Sequence, residues 1–191
     1  MSVVTVAALF VLLWVQFTGK PWREIGYVRP RSWIGGLALG LVFGAAFKLL
    51  MKAVVMPLFG AGPINQTYHY LAGNTAMLPG AILMMLVAGF SEETVFRGYL
   101  FERLGKLLGP GAAAKAAIVV ITSAAFAAAH YADQGVPGVE QASITGLVFG
   151  RVYALTGRLY TLMIAHAAFD LTALAIIYLG LEPAVAHLIF K

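Results

Sequence analysis

The feature that most limits the fold of this chain is a series of long apolar runs separated by short connections. The run from Trp33 to Leu58 carries only Lys48 and Lys52 as charges, and Ala81 to Phe90 carries none. About 20 apolar residues let an α-helix cross the ~30 Å hydrocarbon core with every backbone polar group satisfied inside the segment. Composition agrees. Of 191 residues 61% are hydrophobic and 11% charged, and the mean hydropathy is +0.86, which leaves too little polar surface to clothe a soluble globule. The expected fold class is all-α: a polytopic transmembrane helical bundle in a single integral membrane domain over residues 1–191. About six spans are expected, or seven or eight depending on how the chain ends.

In chain order, Ser2 to Phe17 is barely long enough to span. No Lys or Arg precedes it, so it lacks the basic region of a secretory signal and is expected to be retained. Lys20, Arg23, Arg29 and Arg31 then face only Glu24 in the most basic connection. The positive-inside rule places that connection in the cytoplasm and the N-terminus outside, as expected for a protein of the cytoplasmic (inner) membrane. Gly36, Gly40 and Gly44 recur every fourth residue in the second run, a flat stripe suited to close helix packing. Lys48 and Lys52 share a face near its far end, where they either snorkel or line a cavity.

Phe59 to Ala76 reads as an external loop in which His69 has no evident role. Met77 to about Arg103 forms the third run and Ala112 to His130 the fourth. Tyr131 to Glu140, with two acids and no base, is expected outside as a connection. Gln141 to Leu155, with Gly146 and Gly150 as a close-packing pair, forms the fifth run, and Leu159 to Leu179 the sixth. Pro183 to Phe190 is too short to span and is either interfacial or the end of a bent sixth helix. The net charge of +5 is scattered among these connections, where topology accounts for it, so no nucleic-acid partner is expected. With no cysteine, disulfides, thiolate catalysis and cysteine-bound metal are excluded.

Charge inside the apolar runs is concentrated in three places. Glu92, Glu93 and Arg97 follow directly on Ala81 to Phe90, although an ionised side chain near a membrane helix centre costs roughly 2.5–3.5 kcal/mol on insertion scales. On a helix, Glu93 and Arg97 are four apart and pair on one face, whereas Glu92 points about 100° away and stays unpaired. His130 closes the fourth run. His166 and Asp170 lie four apart in the sixth, so Asp170 either orients the imidazole or places an oxygen beside it. Two histidines and carboxylates converging in a bundle could bind Zn²⁺, with His130, His166 and Asp170 or Glu92 as ligands. They could equally hold a water without metal, Glu92 taking its proton while an imidazole stabilises the oxyanion.

Other intramembrane chemistries fit less well. The chain has no His-Glu-x-x-His and no Gly-x-Gly-Asp, and two carboxylates directly after Ser91 oppose deprotonation of that serine.

Glu92-Glu93-x-x-x-Arg97, Phe126-x-x-x-His130 and His166-x-x-x-Asp170, in this order, resemble the three motifs of the CPBP family. These are the CAAX-protease and bacteriocin-processing membrane enzymes, also called the abortive-infection family. Phe96-Arg97-Gly98-Tyr99-Leu100 and Gly146 to Gly150 resemble the family's intervening text, and the resemblance covers about Gly80 to Leu174, which makes about 80–174 the expected catalytic core. It implies a glutamate-dependent intramembrane endopeptidase acting on a membrane-associated peptide or protein in the lipid bilayer. In that reading Glu92 and His130 activate water, His166 with Asp170 stabilises the oxyanion, and Glu93, Arg97 and Phe126 support them. A metal-free site is then expected over a metalloprotease. Asp170 stands where the eukaryotic prenyl-protein endopeptidases have asparagine. An acid there is a poor oxyanion donor unless protonated and speaks for a metal or an imidazole-orienting role. The competing class is a non-catalytic membrane protein, an immunity factor or a transporter, that uses the same cluster for binding or proton relay.

The expected topology sets the candidate residues at unequal depths. Glu92 and His166 fall in the cytoplasmic half, and His130 falls nearer the outer end of its helix. A later start of the fourth helix, with Gly109 to Lys115 at the interface, a tilt, or a re-entrant turn would bring them together.

Overall fold

The structure is a computed structural model that describes residues 3–190. Seven helices follow one another: α1 (Val3–Thr18), α2 (Trp33–Leu58), α3 (Leu78–Leu108), α4 (Ala112–Ala129), α5 (Tyr131–Thr156), α6 (Tyr160–Tyr178) and α7 (Glu182–Ala186), with no strand among the described residues. Helices α2, α3, α4 and α6 are long and apolar enough to cross a membrane by length and composition, and α1 is an apolar helix of 16 residues. Ser2, with which the first apolar run begins, lies outside the described residues. Ile34, Leu39, Val42, Leu83 and Val120 point outward from the bundle, as side chains facing lipid do. The chain is an integral membrane protein.

Helix α6 is the centre of the bundle, packed on α2 on one side and α3 on the other. The glycine stripe makes this possible. A Cβ at Gly40 would stand 2.7 Å from Ile164 Cγ2, one at Gly44 2.0 Å from Ala165 O, and one at Gly89 on α3 2.8 Å from Ala167 N. Backbones in such contact leave no room for a side chain. Helices α4 and α5 pair in the same way, Gly146 lying against Ser123 and Gly150 against Val119. Phe47, Met51, Phe149, Leu162, Met163 and Phe169 form the largest apolar cluster between α2, α5 and α6.

Four readings of the sequence are refined. Tyr131 to Glu140 does connect the fourth and fifth runs, but it is helical on both sides of the reversal: α5 starts directly after His130 and runs to Thr156, broken only at Gly135 (φ 61°, ψ −154°), two residues before Pro137. Asp133, one of the two acids on which that reading rested, is exposed, whereas Gln134 faces a cavity inside the protein together with Gln141. Lys48 and Lys52 line that same cavity rather than snorkelling. His69 has a partner, with Nδ1 3.4 Å from Glu182 Oε2, and Glu182 Oε1 accepts hydrogen bonds from Asn65 N at 2.7 Å and Lys52 Nζ at 3.4 Å. The chain after Tyr178 does not prolong α6. It turns at Gly180 (φ 66°) into the short α7, which buries Glu182 against the loop of residues 59–77.

The opposite end of the bundle is basic. Glu102 pairs with Arg103 and Lys106, Lys106 reaches Glu24 at 3.2 Å, and Arg103 stacks over Trp14 at 4.5 Å. Leu159 N bonds Gly26 O at 2.9 Å and closes the same end.

Candidate active site

Helix α3 widens into a π-helical turn over Thr94–Tyr99, directly after the two glutamates. Such single-turn bulges are frequent at functional sites. Tyr27 holds this one through a 2.8 Å bond with the Thr94 hydroxyl, which itself donates to Phe90 O at 2.7 Å.

Glu93 and Arg97 pair as their spacing requires. Arg97 Nη1 donates to Glu93 Oε1 at 2.8 Å, and both side chains are almost wholly enclosed, at 0% and 1% exposure. A buried ion pair of this kind survives only with further partners. Arg97 Nη2 reaches Gly146 O at 3.4 Å, and its guanidinium lies 4.5 Å from the Phe126 ring and 5.8 Å from the Phe149 ring. Arg97 makes no bond to Glu92.

His166 is held by Glu93 and not by Asp170. Its Nδ1 lies 2.8 Å from Glu93 Oε1, and because an ionised carboxylate only accepts, Nδ1 carries the proton. Its Nε2 faces Glu92 Oε2 at 3.6 Å and Asp170 Oδ2 at 3.7 Å, beyond hydrogen-bond length but close enough for charge to act. One ring nitrogen is thus fixed to the structural ion pair, and the other is presented to two carboxylates.

His130 caps α4. Its Nδ1 lies 2.8 Å from Phe126 O and must donate to that carbonyl, which leaves Nε2 as the free nitrogen. The Phe126 ring stands between the two imidazoles, 4.6 Å from His130 and 5.9 Å from His166. His130, Phe126, His166, Asp170, Gln141 and Thr145 share the wall of a cavity of about 20 Å³, room for one water. Glu92 does not line it, but meets the same Nε2 of His166.

The depth conflict has a geometric resolution. At ~1.5 Å per residue Phe126 lies about 21 Å along α4 and His166 about 9 Å along α6, yet their rings are neighbours. The two parallel helices therefore do not start level. Helix α4 begins at Ala112, with Gly111, Ala112 and Ala113 exposed, and the chain stays helical through His130 before it turns back at Gly135.

All seven candidate residues, Glu92, Glu93, Arg97, Phe126, His130, His166 and Asp170, are thus brought into one region between α3, α4 and α6. The sequence reading missed Phe149, 5.6 Å from the His166 ring, and Gln141 and Thr145 in the cavity wall. Phe149 lies in the Gly146 to Gly150 segment already singled out, but nothing there tells its face from its neighbours'.

The family model Type II CAAX prenyl endopeptidase Rce1-like matches residues 74–172, more than half of the chain and every residue of the cluster. No curated protein and no solved structure matches. The chain belongs to the Rce1-like family of type II CAAX prenyl endopeptidases, a family of membrane proteases.

Proposed function

We propose that the protein is a glutamate-dependent intramembrane endopeptidase that hydrolyses a peptide bond in a membrane-associated peptide or protein. The observation that carries this reading is the sorting of the two adjacent acids. Arg97 takes Glu93, and Glu92 is left facing the His166 Nε2 beside a water-sized cavity.

In this mechanism Glu92, assisted by the free Nε2 of His130, takes a proton from water, and the water oxygen bonds to the scissile carbonyl carbon. His166 donates from Nε2 to the resulting oxyanion when its ring carries both protons, with Asp170 beside it as counter-charge. Collapse of the tetrahedral intermediate breaks the C–N bond, and the amine leaves with the proton held by Glu92. Glu93 orients His166, Arg97 neutralises Glu93, and Phe126 spaces the two imidazoles.

The reading is metal-free: among the described residues no three His, Asp or Glu side chains are grouped to share an ion. The basic end of the bundle, carrying Lys20, Arg23, Arg103 and Lys106, is assigned to the cytoplasm, which leaves the N-terminus outside.

The test is cleavage of lipid-anchored peptides by purified protein in vesicles. Glu92→Gln and His130→Ala should fold and lose cleavage, and chelators should leave the wild-type rate unchanged. Full cleavage by Glu92→Gln would sink the proposal. Stoichiometric zinc, with activity lost to chelation and restored by the ion, would replace its metal-free part. pH-driven flux without cleavage would move the cluster to transport.

A further inference from the structure

A cavity of about 380 Å³ opens at the end of the bundle away from the basic connections, walled by Lys48, Lys52, Asn65, Gln134 and Gln141. It adjoins a smaller cavity of about 50 Å³ that shares Lys48, Gln134 and Gln141 with it and adds Tyr68 and Asp170. Gln141 and Asp170 in turn line the water-sized cavity at His130 and His166. The three form a series leading from the loop of residues 59–77 to the candidate active site.

Lys48 stands where the first two meet, and its state is unusual. It is 7% exposed, and its Nζ donates to the neutral Gln141 Oε1 at 2.8 Å and lies 4.7 Å from the Phe169 ring. Among the described residues no carboxylate lies within the 4.0 Å of an ion pair with it. Lys52, one turn on, differs: Glu182 pairs with it at 3.4 Å. Asp170 lines the inner cavity with Lys48 but has His166 as its near neighbour. A buried cation without a counter-charge is strongly disfavoured, and this one borders open space.

Resting on the peptidase reading above, we propose that Lys48, with Gln141, is a carboxylate-binding subsite that selects peptides bearing an acidic group at the mouth of the passage. The carboxylate replaces water around Nζ, and the Gln141 amide nitrogen, which makes no hydrogen bond among the described residues, is free to donate to the same group. Tyr68 can donate as well, because burial pushes its phenol up to about 12 and keeps it protonated. Two sources supply this chemistry, a chain-terminal carboxylate and an Asp or Glu side chain.

Three fluorescent apolar peptides of one sequence separate these sources: one with a free C-terminus and no acid, one amidated with a single glutamate, and one amidated without acid. Their affinities are measured with full-length protein in detergent, for wild type, Lys48→Met, Lys48→Arg and Gln141→Leu. Wild type should bind one acidic peptide about tenfold or more tighter than the neutral one, as expected of a charge-assisted bond in a desolvated site. Lys48→Met should abolish the difference, Lys48→Arg should keep most of it, and Gln141→Leu should reduce it. Exchange of a buried charge for an apolar side chain of similar length is often neutral or stabilising, and Gln141→Leu carries the test should Lys48→Met not fold. Equal binding of the three peptides by wild type, absence of binding, or discrimination that survives Lys48→Met overturns the subsite. Cleavage of the same peptides is scored separately. Lys48-dependent binding without Glu92-dependent cleavage would keep the subsite and overturn the peptidase, and the reverse would overturn only the subsite.

Discussion

The Nδ1 of His166 lies 2.8 Å from the Oε1 of Glu93, the same oxygen that accepts from Arg97 Nη1. One carboxylate oxygen therefore ties α3 to α6 and sets which imidazole nitrogen faces Glu92. Neighbouring glutamates should respond oppositely to the same substitution. Glu93→Gln leaves Arg97 enclosed without its counter-charge, so both the thermal midpoint in detergent and cleavage should fall. Arg97→Ala should destabilise by about 3–5 kcal/mol, less where water enters. Glu92→Gln removes an acid that, among the described residues, has no Lys or Arg within ion-pair distance and should leave the midpoint unchanged or raised. A wild-type midpoint in Arg97→Ala would remove the ion pair from the account of stability.

Two glycines offer a second contrast. A Cβ at Gly44 would stand 2.0 Å from Ala165 O, which cannot rotate away, whereas one at Gly80 meets nothing within 4 Å. Gly44→Ala should cost at least the about 1–3 kcal/mol of ordinary overpacking and reduce cleavage by moving α6. Gly80→Ala should be silent or gain up to about 1 kcal/mol from helix propensity. Thermal unfolding of both variants is the measurement, and equal midpoints would contradict the packing described.

The fold was legible because membrane helices announce themselves by length, and the Glu93–Arg97 pair because periodicity reports on contacts within one helix. Periodicity is silent on contacts between helices. Glu93 and His166 are 73 positions apart, so sequence proximity offered Asp170, and not Glu93, as a candidate to orient the imidazole. The stretch from Tyr131 to Glu140 was legible as a connection, since the chain reverses at Gly135 within it, but its helical character on either side was not. Polarity marks contact with water and does not tell a helix end from a loop.

Gly135 tests how the α4–α5 corner is made. Its φ of 61° with ψ of −154° lies in a region that is essentially reserved for glycine. Gly135→Ala should cost about 1–3 kcal/mol, and because His130 lies five residues earlier, kcat should fall as well. An unchanged midpoint would show that the corner relaxes at no cost.

Glu182 joins α7 to Asn65, Lys52 and His69. Glu182→Ala should free the loop of residues 59–77 without unfolding the helices. Limited proteolysis should then cut that loop faster than in wild type, while the thermal midpoint of the bundle changes little. An unaltered cutting rate would mean that the loop is held by its other contacts.

Helix α6 is gripped by main chain from both sides, by Gly40 and Gly44 of α2 and by Gly89 of α3. Where side chains separate two helices, a swap of leucine for valine lets one of them drift by fractions of an ångström, and drift is how a site usually acquires a new preference. At these three glycines there is no side chain to be exchanged, although Phe47 and Phe169 fill the space between α2 and α6 elsewhere. The bearing of His166 and Asp170 is inherited as a fixed frame, and divergence in what is cut is left to the loop of residues 59–77 and to the α5 wall between Gln134 and Gln141.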